Sequence, residues 1–279
     1  MKVLEVEVSR RCNLRCILCP LRGSLSNPYL LPGLFDRILD EFSTVEEVYL
    51  IGNGEPLLNP NLSEILGIAQ GRGVKVGLTT NGMLVDEEVV DTWKKLGVWK
   101  VYVSLDSMKQ DLLDVLRLGA SVERIKEAIK LLGSSEIKTR VNTLRYRANK
   151  NELEKISEFC EEVGAVHKVI GPFYIEDKES DPIIGRPSPP MPVNRIPYCQ
   201  SHQLYVTIEG NIYPCPFVVI FSNDGMVREY LNGKKNEAPL DSFLLGTPSG
   251  DSFQYAIKGG DRFKFCSSCS VRLGISCQS

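Results

Sequence analysis

The first 175 residues alternate between two hydrophobic patterns. Short runs rich in β-branched residues predict strands, and the segments between them carry apolar residues at helical spacing, which predicts amphipathic helices. The predicted strands cover residues 3–8, 46–51, 74–80, 99–106, 137–144 and 166–174, and the predicted helices cover 30–43, 62–70, 86–97, 122–132 and 151–164. Glycines that suit the position after a helix C-terminus lie near four helix ends, at Gly71, Gly97, Gly133 and Gly164. Six strands with helical crossovers predict a right-handed parallel α/β sheet, either a doubly wound layer or a partial barrel.

The regular alternation ends after Tyr174. Residues 176–198 are rich in proline and have no clear hydrophobic period, which predicts a linker. The remaining segment, 199–279, has little periodic apolar pattern, so its core would be thin and would gain stability from a bound metal. We therefore predict a core domain over 1–175, a linker over 176–198 and a small C-terminal domain over 199–279.

Two elements are predicted within the C-terminal segment. One is a hairpin whose strands, at 204–208 and 211–215, are joined by a turn at Glu209-Gly210. The other is a short helix near residues 251–258. The rest of the segment is rich in glycine, proline and serine and predicts loops.

Composition and charge narrow the class of protein. The 279 residues carry 33 Lys and Arg against 35 Asp and Glu, a net charge of −2, which gives no electrostatic reason to expect a nucleic-acid or membrane-surface partner. No apolar run approaches the 18 or more residues that a spanning helix needs. The N-terminus lacks the apolar stretch of a signal peptide. The sequence predicts a soluble cytoplasmic protein.

The nine cysteines carry the most chemical information. They are Cys12, Cys16, Cys19, Cys160, Cys199, Cys215, Cys266, Cys269 and Cys277. An odd count without a secretory signal argues against a disulfide framework, and clustered thiols in a reducing compartment indicate metal or redox chemistry. Because the cysteines fall into one early and one late group, we predict two metal sites. Cys160 stands alone beside Phe159 in a predicted helix, where it is expected to be a packed apolar thiol.

The early group follows the first predicted strand. Three thiolates at Cys12, Cys16 and Cys19 can hold three corners of a [4Fe–4S] cluster and leave one iron without a protein ligand. A structural zinc site would need a fourth ligand, and the two histidines, His167 and His202, are distant in sequence. A chance grouping or a zinc knuckle is the alternative. Placement after a parallel strand favours the cluster, because such loops carry the chemistry of these folds.

This Cys-x3-Cys-x2-Cys motif after the first strand of a β/α repeat resembles the radical S-adenosylmethionine (radical SAM) superfamily. The resemblance covers roughly residues 1–175 and implies a partial (β/α)6 barrel. It also implies that the open iron binds the amino and carboxylate groups of S-adenosylmethionine. An electron from the cluster would then cleave the C5′–S bond and yield methionine and a 5′-deoxyadenosyl radical.

Further segments at predicted strand ends match the same family. Gly52-Asn53-Gly54-Glu55-Pro56 resembles the Gly-Gly-Glu-Pro motif that binds the methionine amino group, with Asn53 in place of the usual glycine. A carboxylate suits an ammonium group, and glycine permits close approach of the backbone to a ligand. Leu18 stands where the family usually has an aromatic residue and would contact adenine by apolar packing.

Two more segments, Thr80-Asn81-Gly82 and Ser104-Leu105-Asp106, resemble family segments near the ribose and carboxylate of the cofactor, and Asn142 joins them by position. Taken singly, each segment could be a tight turn or a helix cap. Their order at successive strand ends favours a cofactor site. The cofactor-binding residues that the resemblance implies are Gly54, Glu55, Asn81, Ser104, Asp106 and Asn142.

From the residues alone, the late cysteines fit a zinc ribbon as well as an iron–sulfur site. Behind a radical SAM core, the pattern Gly210-x4-Cys215 with a later Cys-x2-Cys resembles the SPASM/twitch region, which holds auxiliary clusters. Because few cysteines follow Cys269, the shorter twitch type with one auxiliary cluster fits better. The resemblance implies Cys199, Cys215, Cys266 and Cys269 as ligands, with Cys277 as an alternative to one of them.

The implied cofactors are two [4Fe–4S] clusters and S-adenosylmethionine. The implied partners are a reductase or a flavodoxin- or ferredoxin-type electron donor and a small-molecule or peptide/protein substrate. After hydrogen abstraction, the auxiliary cluster would accept an electron or anchor the substrate. We favour a small-molecule dehydrogenase or cyclase, because only eleven residues precede Cys12 and peptide-modifying members commonly carry an N-terminal leader-binding domain. A maturase acting on a peptide, a partner protein or a metal cofactor is the alternative.

Flanking residues supply candidates for other roles. Arg145, Tyr146 and Tyr174 follow the fifth and sixth strands and would face the barrel mouth, where they could touch substrate. Three arginines flank the cysteine loop and either balance the charge of a thiolate-bound cluster or form a solvated surface; they are Arg10, Arg11 and Arg15.

Two hypotheses from other classes compete with an enzyme. A two-cluster electron carrier would need no ammonium pocket, so Glu55 and the polar strand ends argue against it. A zinc-stabilised binding module would be colourless, whereas the favoured hypothesis predicts a brown, oxygen-sensitive protein with about eight irons.

Overall fold

The structure is a computed structural model that describes residues 3–17, 19, 28–170, 183 and 204–213, together with the backbone of five strands between 222 and 255. The strands are β1 (Val3–Glu7), β2 (Arg15–Cys16), β3 (Glu47–Ile51), β4 (Lys75–Thr80), β5 (Val98–Ser104), β6 (Arg117–Leu118), β7 (Lys138–Leu144), β8 (Val166–Ile170), β9 (Leu204–Val206), β10 (Ile212–Tyr213), β11 (Ser222–Asn223), β12 (Met226–Leu231), β13 (Lys234–Pro239), β14 (Gly246–Ser249) and β15 (Ser252–Tyr255). The helices are α1 (Pro32–Glu41), α2 (Leu62–Gly71), α3 (Glu87–Lys95), α4 (Gln110–Leu116), α5 (Val122–Gly133) and α6 (Leu153–Glu162), with 3₁₀ turns at Pro56–Leu58 and Lys150–Glu152.

Six parallel strands form the centre of the largest sheet. Its strand order is β15-β14-β10-β9-β1-β3-β4-β5-β7-β8, and β1, β3, β4, β5, β7 and β8 pair in parallel. These are the six predicted strands, and they lie side by side in chain order. A doubly wound sheet would reverse its order at a switch point. The succession without reversal is that of a partial (β/α)6 barrel, and the predicted α/β fold is confirmed.

The two faces of this sheet are buried to different degrees. On one face, side chains such as Val101, Val103 and Val141 are completely buried in one hydrophobic cluster with helix residues such as Ile125. Full burial of each such side chain stabilises the fold by about 1.5–3 kcal/mol. On the other face, several polar side chains are only partly buried, for example Ser104, which shares a face with the neighbouring Asn142. Among the described residues, the inner face of this partial barrel is therefore less tightly packed than the interior of a closed barrel.

Two of the four predicted helix-ending glycines follow a helix. Gly97 and Gly164 come after α3 and α6 with φ angles of +73° and +76°, a conformation that strongly favours glycine. Gly71 and Gly133 are instead the last residues of α2 and α5. At Gly133 a Cβ atom would lie 1.9 Å from the carbonyl oxygen of Val163, so close packing rather than backbone conformation requires glycine there.

The predicted hairpin is present and joins the core sheet. β9 and β10 are antiparallel, with Gly210 in the left-handed conformation at φ +87°, and β9 pairs in parallel with β1. The first hairpin of the predicted C-terminal domain thus extends the edge of the core domain. The predicted linker, 176–198, lies outside the described residues apart from residue 183, and the domain boundaries stay predictions.

The predicted helix near 251–258 is wrong. Residues Ser252–Tyr255 form β15, which pairs antiparallel with β14 over four residue pairs. Only two residues, Gly250-Asp251, separate the strands, and a short glycine-containing connection is typical of hairpins. Pairing at a sheet edge therefore prevails over the weak local helical pattern.

The sequence also did not predict α4 and β6. β6 pairs antiparallel with β2, which places Leu118 opposite Arg15 and Arg117 opposite Cys16. This short ladder holds the cysteine loop against the segment that follows β5. Of the helices described, none is long and apolar enough to span a membrane.

Candidate functional site

The cysteine loop lies at the carboxyl end of β1. Its thiols at Cys12, Cys16 and Cys19 line one open cavity of about 1000 Å³. The loop is held by the β2–β6 ladder and by backbone hydrogen bonds from Ile17 to the Leu116 carbonyl (3.0 Å) and from Cys19 to the Cys16 carbonyl (3.2 Å). The three thiols therefore face one shared space, as the sequence predicts.

The charge around this cavity suits thiolate ligands. Arg11 and Arg15 line it too, which supports the interpretation that they balance negative charge, whereas Arg10, which also lines it, is already paired with the Glu7 and Glu209 carboxylates. Burial raises the pKa of the Cys16 thiol, and the nearby Arg117 guanidinium opposes that rise. Among the described residues, no group of three or more His, Cys, Asp or Glu side chains is arranged to hold a single metal ion. In a [4Fe–4S] cluster each thiolate binds a different iron, and three thiols around one cavity suit that requirement.

The Gly52–Pro56 motif packs directly on the cysteine loop. The Gly54 amide donates to the Ser9 carbonyl at 3.0 Å, and the Glu55 amide donates to the Arg11 carbonyl at 2.7 Å. A Cβ atom on Gly54 would lie 2.1 Å from the Arg11 carbonyl oxygen. The close backbone approach that the sequence predicts for a ligand is made here by the cysteine loop itself.

Glu55 connects this motif to the end of β4. Its carboxylate accepts hydrogen bonds from the Thr80 hydroxyl (2.8 Å) and from the backbone amides of Asn81 (2.7 Å) and Leu57 (3.2 Å). The side chain is 1% exposed, and burial raises its pKa although these donors oppose the rise. In this structure the Glu55 carboxylate orients two loops, and its oxygens are already engaged by protein donors.

Asn81 extends this connection to the first cysteine. Its side-chain amide donates to the Asn13 side chain at 2.7 Å and lies 3.8 Å from the Cys12 sulfur, while its side-chain oxygen accepts from the Met83 amide. Strand ends β3 and β4 are thereby linked to Cys12 through Glu55 and Asn81.

A second connection links β5 to Cys16. The buried Asp106 carboxylate accepts from Arg117 Nε at 2.7 Å and from the Leu144 amide at 2.7 Å. Arg117 Nη1 in turn lies 4.0 Å from the Cys16 sulfur. Sequence reasoning missed Arg117, because its separation of 101 residues from Cys16 leaves no local signal.

Ser104 and Asn142 occupy neighbouring register positions on β5 and β7. Among the described residues, the buried side-chain oxygen of Asn142 has no hydrogen-bond partner. A buried acceptor without a partner is costly and is expected where a ligand supplies the donor. This observation fits the predicted cofactor position of Asn142.

The three candidate substrate-contacting residues differ in how far the structure exposes or describes them. Arg145 is exposed. Tyr146 is 3% exposed and packs with Leu116 and Ile17; burial raises its pKa, and the nearby Asp106, Arg117 and Cys16 also influence it, so it lies beside the second connection to the cysteine loop. Its backbone amide donates to the Asn149 side-chain oxygen at 2.8 Å. Tyr174 lies outside the described residues.

The remaining predicted residues fall into two groups. Cys160 is completely buried in the main hydrophobic cluster, which confirms a packed thiol, and His167 makes an ordinary 2.9 Å hydrogen bond to the Thr143 hydroxyl. The cysteines of the late group lie outside the described residues, as do Leu18 and His202; these cysteines are Cys199, Cys215, Cys266, Cys269 and Cys277.

Comparison with known families decides the class of protein. The family model described as Radical SAM superfamily matches residues 6–160, more than half of the chain. The chain belongs to the Radical SAM superfamily. The family resemblance of the sequence motifs is confirmed, and so is the predicted enzyme class at the level of the superfamily.

Curated relatives of this radical SAM chain carry several names. A probable GTP 3′,8-cyclase of Methanocaldococcus jannaschii is 32% identical over 177 residues, which cover 61% of this chain and 58% of the relative. An AdoMet-dependent heme synthase of Methanosarcina barkeri is 28% identical over 169 residues, 59% of this chain and 48% of the relative. A tungsten-containing aldehyde ferredoxin oxidoreductase cofactor-modifying protein of Pyrococcus furiosus is 28% identical over 180 residues, which cover 59% of this chain and 49% of the relative. The chain thus spans about half the length of these relatives.

Solved structures of radical SAM proteins share the fold. Streptococcus suis SuiB bound to S-adenosylmethionine superposes with a TM-score of 0.66 at 16% identity, covering 97% of this chain and 71% of SuiB. Native anSMEcpe with bound AdoMet gives a TM-score of 0.61 at 15% identity, covering 81% of this chain and 77% of that chain. At these identities the likeness is one of fold.

Proposed function

We propose that this radical SAM chain uses S-adenosylmethionine to abstract a hydrogen atom from an unactivated carbon of a small molecule, as a dehydrogenase or cyclase. The observation that carries the proposal is the pair of hydrogen-bonded connections from the strand ends to the cysteine loop. One connection runs through Asn81 to Cys12, and the other runs through Arg117 to Cys16. An electron carrier would not require polar strand ends arranged in this way.

Cys12, Cys16 and Cys19 would hold the [4Fe–4S] cluster. When bound, the cluster supplies the electron that cleaves S-adenosylmethionine into methionine and a 5′-deoxyadenosyl radical. Around it, Arg117 brings positive charge to Cys16, and Asn81 orients the loop at Cys12.

The predicted cofactor-binding residues fall into two groups, according to whether their side chains already form hydrogen bonds within the protein. Glu55 and Asp106 are buried and already hydrogen-bonded, so we infer that they act as positioning residues for Asn81 and Arg117. The buried Asn142 side-chain oxygen has no hydrogen-bond donor among the described residues, and Ser104 occupies the neighbouring register position. These groups would bind the ribose and amino-acid portions of S-adenosylmethionine, together with the backbone around Gly54.

We further propose an auxiliary cluster on Cys199, Cys215, Cys266 and Cys269, with Cys277 as the alternative ligand. Two observations support a C-terminal unit of this kind. The predicted hairpin is formed, with Tyr213 two positions before Cys215, and the likeness to SuiB covers 97% of the chain. The auxiliary cluster would accept the electron released when the substrate radical is oxidised, and a flavodoxin, ferredoxin or reductase would supply the first electron.

Names of the relatives favour small-molecule chemistry. They include a cyclase, a heme synthase and a cofactor-modifying protein. Modification of a peptide or partner protein is the second candidate, since SuiB, whose fold this chain shares, has been solved with its precursor peptide SuiA.

The test is anaerobic reconstitution followed by dithionite reduction and assay of 5′-deoxyadenosine. We expect product from the native chain and from Cys160→Ala, a control that removes a thiol outside the site, and none from Cys16→Ala. Formation of 5′-deoxyadenosine by Cys16→Ala would refute the site. Iron analysis tests the auxiliary cluster, with about eight irons expected for two clusters and about four for one.

A further inference from the structure

A group of basic side chains surrounds one indole ring at the amino ends of the strands. The ammonium nitrogens of Lys75, Lys100 and Lys138 lie 5.9, 5.4 and 5.3 Å from the ring centroid of Trp99. We call these four residues the Trp99 cluster. Lys75 and Lys138 begin β4 and β7, whereas the cysteine loop follows the carboxyl end of β1, so the Trp99 cluster belongs to the opposite end of the barrel.

Strand register brings these lysines together. Lys100 pairs with Gly77 on one side and with Lys138 on the other. The register between β4 and β5 shifts at this point, because Val76 pairs with Val98 and the next residue, Gly77, pairs with Lys100. Trp99 is therefore an extra residue in β5, and such irregularities re-aim side chains.

The Trp99 cluster carries three positive charges. Within the described residues, none of its three ammonium groups forms an ion pair with a carboxylate. Glu47 lies opposite Lys75 in the register, but its carboxylate faces the Tyr49 hydroxyl at 3.5 Å. Like charges on directly opposite strand positions, such as Lys100 and Lys138, destabilise a sheet. Contacts of the ammonium groups with the Trp99 ring offset part of this repulsion, and a negatively charged group bound among them would relieve the rest.

The hydrogen-bonding groups of the Trp99 cluster are all donors. Ammonium groups and the indole N–H are donors only. In the part of the chain that the structure describes, the buried Trp99 N–H has no acceptor. Further along the same strands, the Arg140 guanidinium stacks on the Tyr102 ring at 4.1 Å and Lys100 lies 5.0 Å from that ring, so positive charge continues inward. The cluster offers several donors and no acceptor.

We propose that the Trp99 cluster is a binding site for a phosphate group. A phosphate has several acceptor oxygens and more than one negative charge, which complements a group made of three ammonium donors and an indole N–H. The group could be inorganic phosphate or part of a phosphorylated small molecule. The site is separate from the cysteine loop, and its presence does not depend on the proposed function.

Calorimetric titration of the reconstituted protein tests the site. The probes are inorganic phosphate, inorganic pyrophosphate and glucose 6-phosphate, each at constant ionic strength against sodium chloride. We expect saturable binding of at least one probe and about a tenfold loss of affinity in Lys138→Gln. Trp99→Phe, which keeps the ring and removes the N–H, should also weaken binding.

The matched control is Lys126→Gln. Lys126 lies 5.8 Å from the Phe159 ring, so it is also a lysine beside an aromatic ring, but it is paired with Glu123 at 3.2 Å. We expect this variant to bind the probes within twofold of the native chain. Binding of inorganic phosphate alone would identify the free ion as the ligand, and tighter binding of pyrophosphate or the sugar phosphate would identify a phosphorylated compound. Absence of saturable binding by all three probes, or equal losses in Lys126→Gln and Lys138→Gln, would overturn the proposal.

A stability measurement gives a second, independent result. Phosphate should raise the melting temperature of the native chain, because a ligand that binds only the folded state stabilises it. In Lys138→Gln the melting temperature without phosphate should be equal or higher, since a like-charge contact is lost, and the response to phosphate should be smaller. If phosphate raised the melting temperature of Lys138→Gln as much as that of the native chain, the proposed site would be contradicted.

Discussion

The side-chain amide of Asn53 donates a 2.8 Å hydrogen bond to the carboxylate of Glu7, the last residue of β1. Glu7 is completely buried, and its carboxylate also accepts from the Arg10 guanidinium and from the Ile208 amide at 3.2 Å. Arg10 in turn pairs with Glu209 in the β9–β10 hairpin. Asn53, where the family usually has glycine, thus joins the Gly52–Pro56 motif to the cysteine loop and to the C-terminal hairpin.

Replacement of Asn53 tests this connection. Asn53→Ala removes a donor from a buried carboxylate, which we expect to destabilise the fold by about 1–2 kcal/mol. Thermal unfolding should show a lower melting temperature. The control is Asn151→Ala, at an exposed position, which should leave the melting temperature unchanged. Equal melting temperatures for both variants would show that the Asn53–Glu7 hydrogen bond contributes nothing.

Arg117 is expected to influence the cluster electrostatically. Its guanidinium lies 4.0 Å from the Cys16 sulfur, and positive charge near a thiolate-bound cluster favours the reduced form. Arg117→Gln should therefore lower the midpoint potential of the reconstituted cluster by roughly tens of millivolts. A redox titration followed by electron paramagnetic resonance measures this value.

The control for Arg117 is Arg124→Gln, at an exposed arginine paired with Glu127. It should leave the midpoint potential unchanged. Because Arg117→Gln also leaves the buried Asp106 carboxylate without its ion pair, a lower melting temperature alone would not support the electrostatic role. An unchanged potential would argue against it.

Cys160 should be chemically inert in the folded protein. Burial, with a smaller contribution from Glu161, raises the pKa of its thiol from 9.0 to about 12. Near pH 8 the thiolate fraction then falls roughly 1000-fold, and the thiolate is the reactive form. Iodoacetamide labelling followed by peptide mass spectrometry should find Cys160 unmodified in the native chain and modified in urea. Equal labelling rates in the two conditions would be inconsistent with this burial.

His167 should make the fold sensitive to mild acid. Burial lowers the pKa of His167 from its ordinary value of 6.5. As the pH falls below 6.5, the unfolded chain takes up a proton that the folded chain resists, so stability is lost on acidification. The melting temperature should fall between pH 7.5 and 5.5, and His167→Gln should reduce that fall. An identical pH dependence of the native chain and His167→Gln would contradict the prediction.

The confirmed and the missed elements differ in the range of the interactions that form them. The six parallel strands were predictable because each is a local run of β-branched residues between helical segments. β6 was not predictable, because it has only two residues and forms by pairing with the cysteine loop. The pairing of β15 with β14 likewise depends on an available sheet edge.

For the site, the sequence by itself determined which residues are chemically able to act. Three cysteines within eight positions, followed by Glu55 and Asn81 at strand ends, define the candidate centre by local spacing alone. The tertiary structure decided how these residues are used. It buries Glu55 as an orienting carboxylate, brings Arg117 to Cys16 and gathers three lysines around Trp99. These contacts depend on strand register and chain crossing between distant segments, which hydrophobic periodicity does not encode.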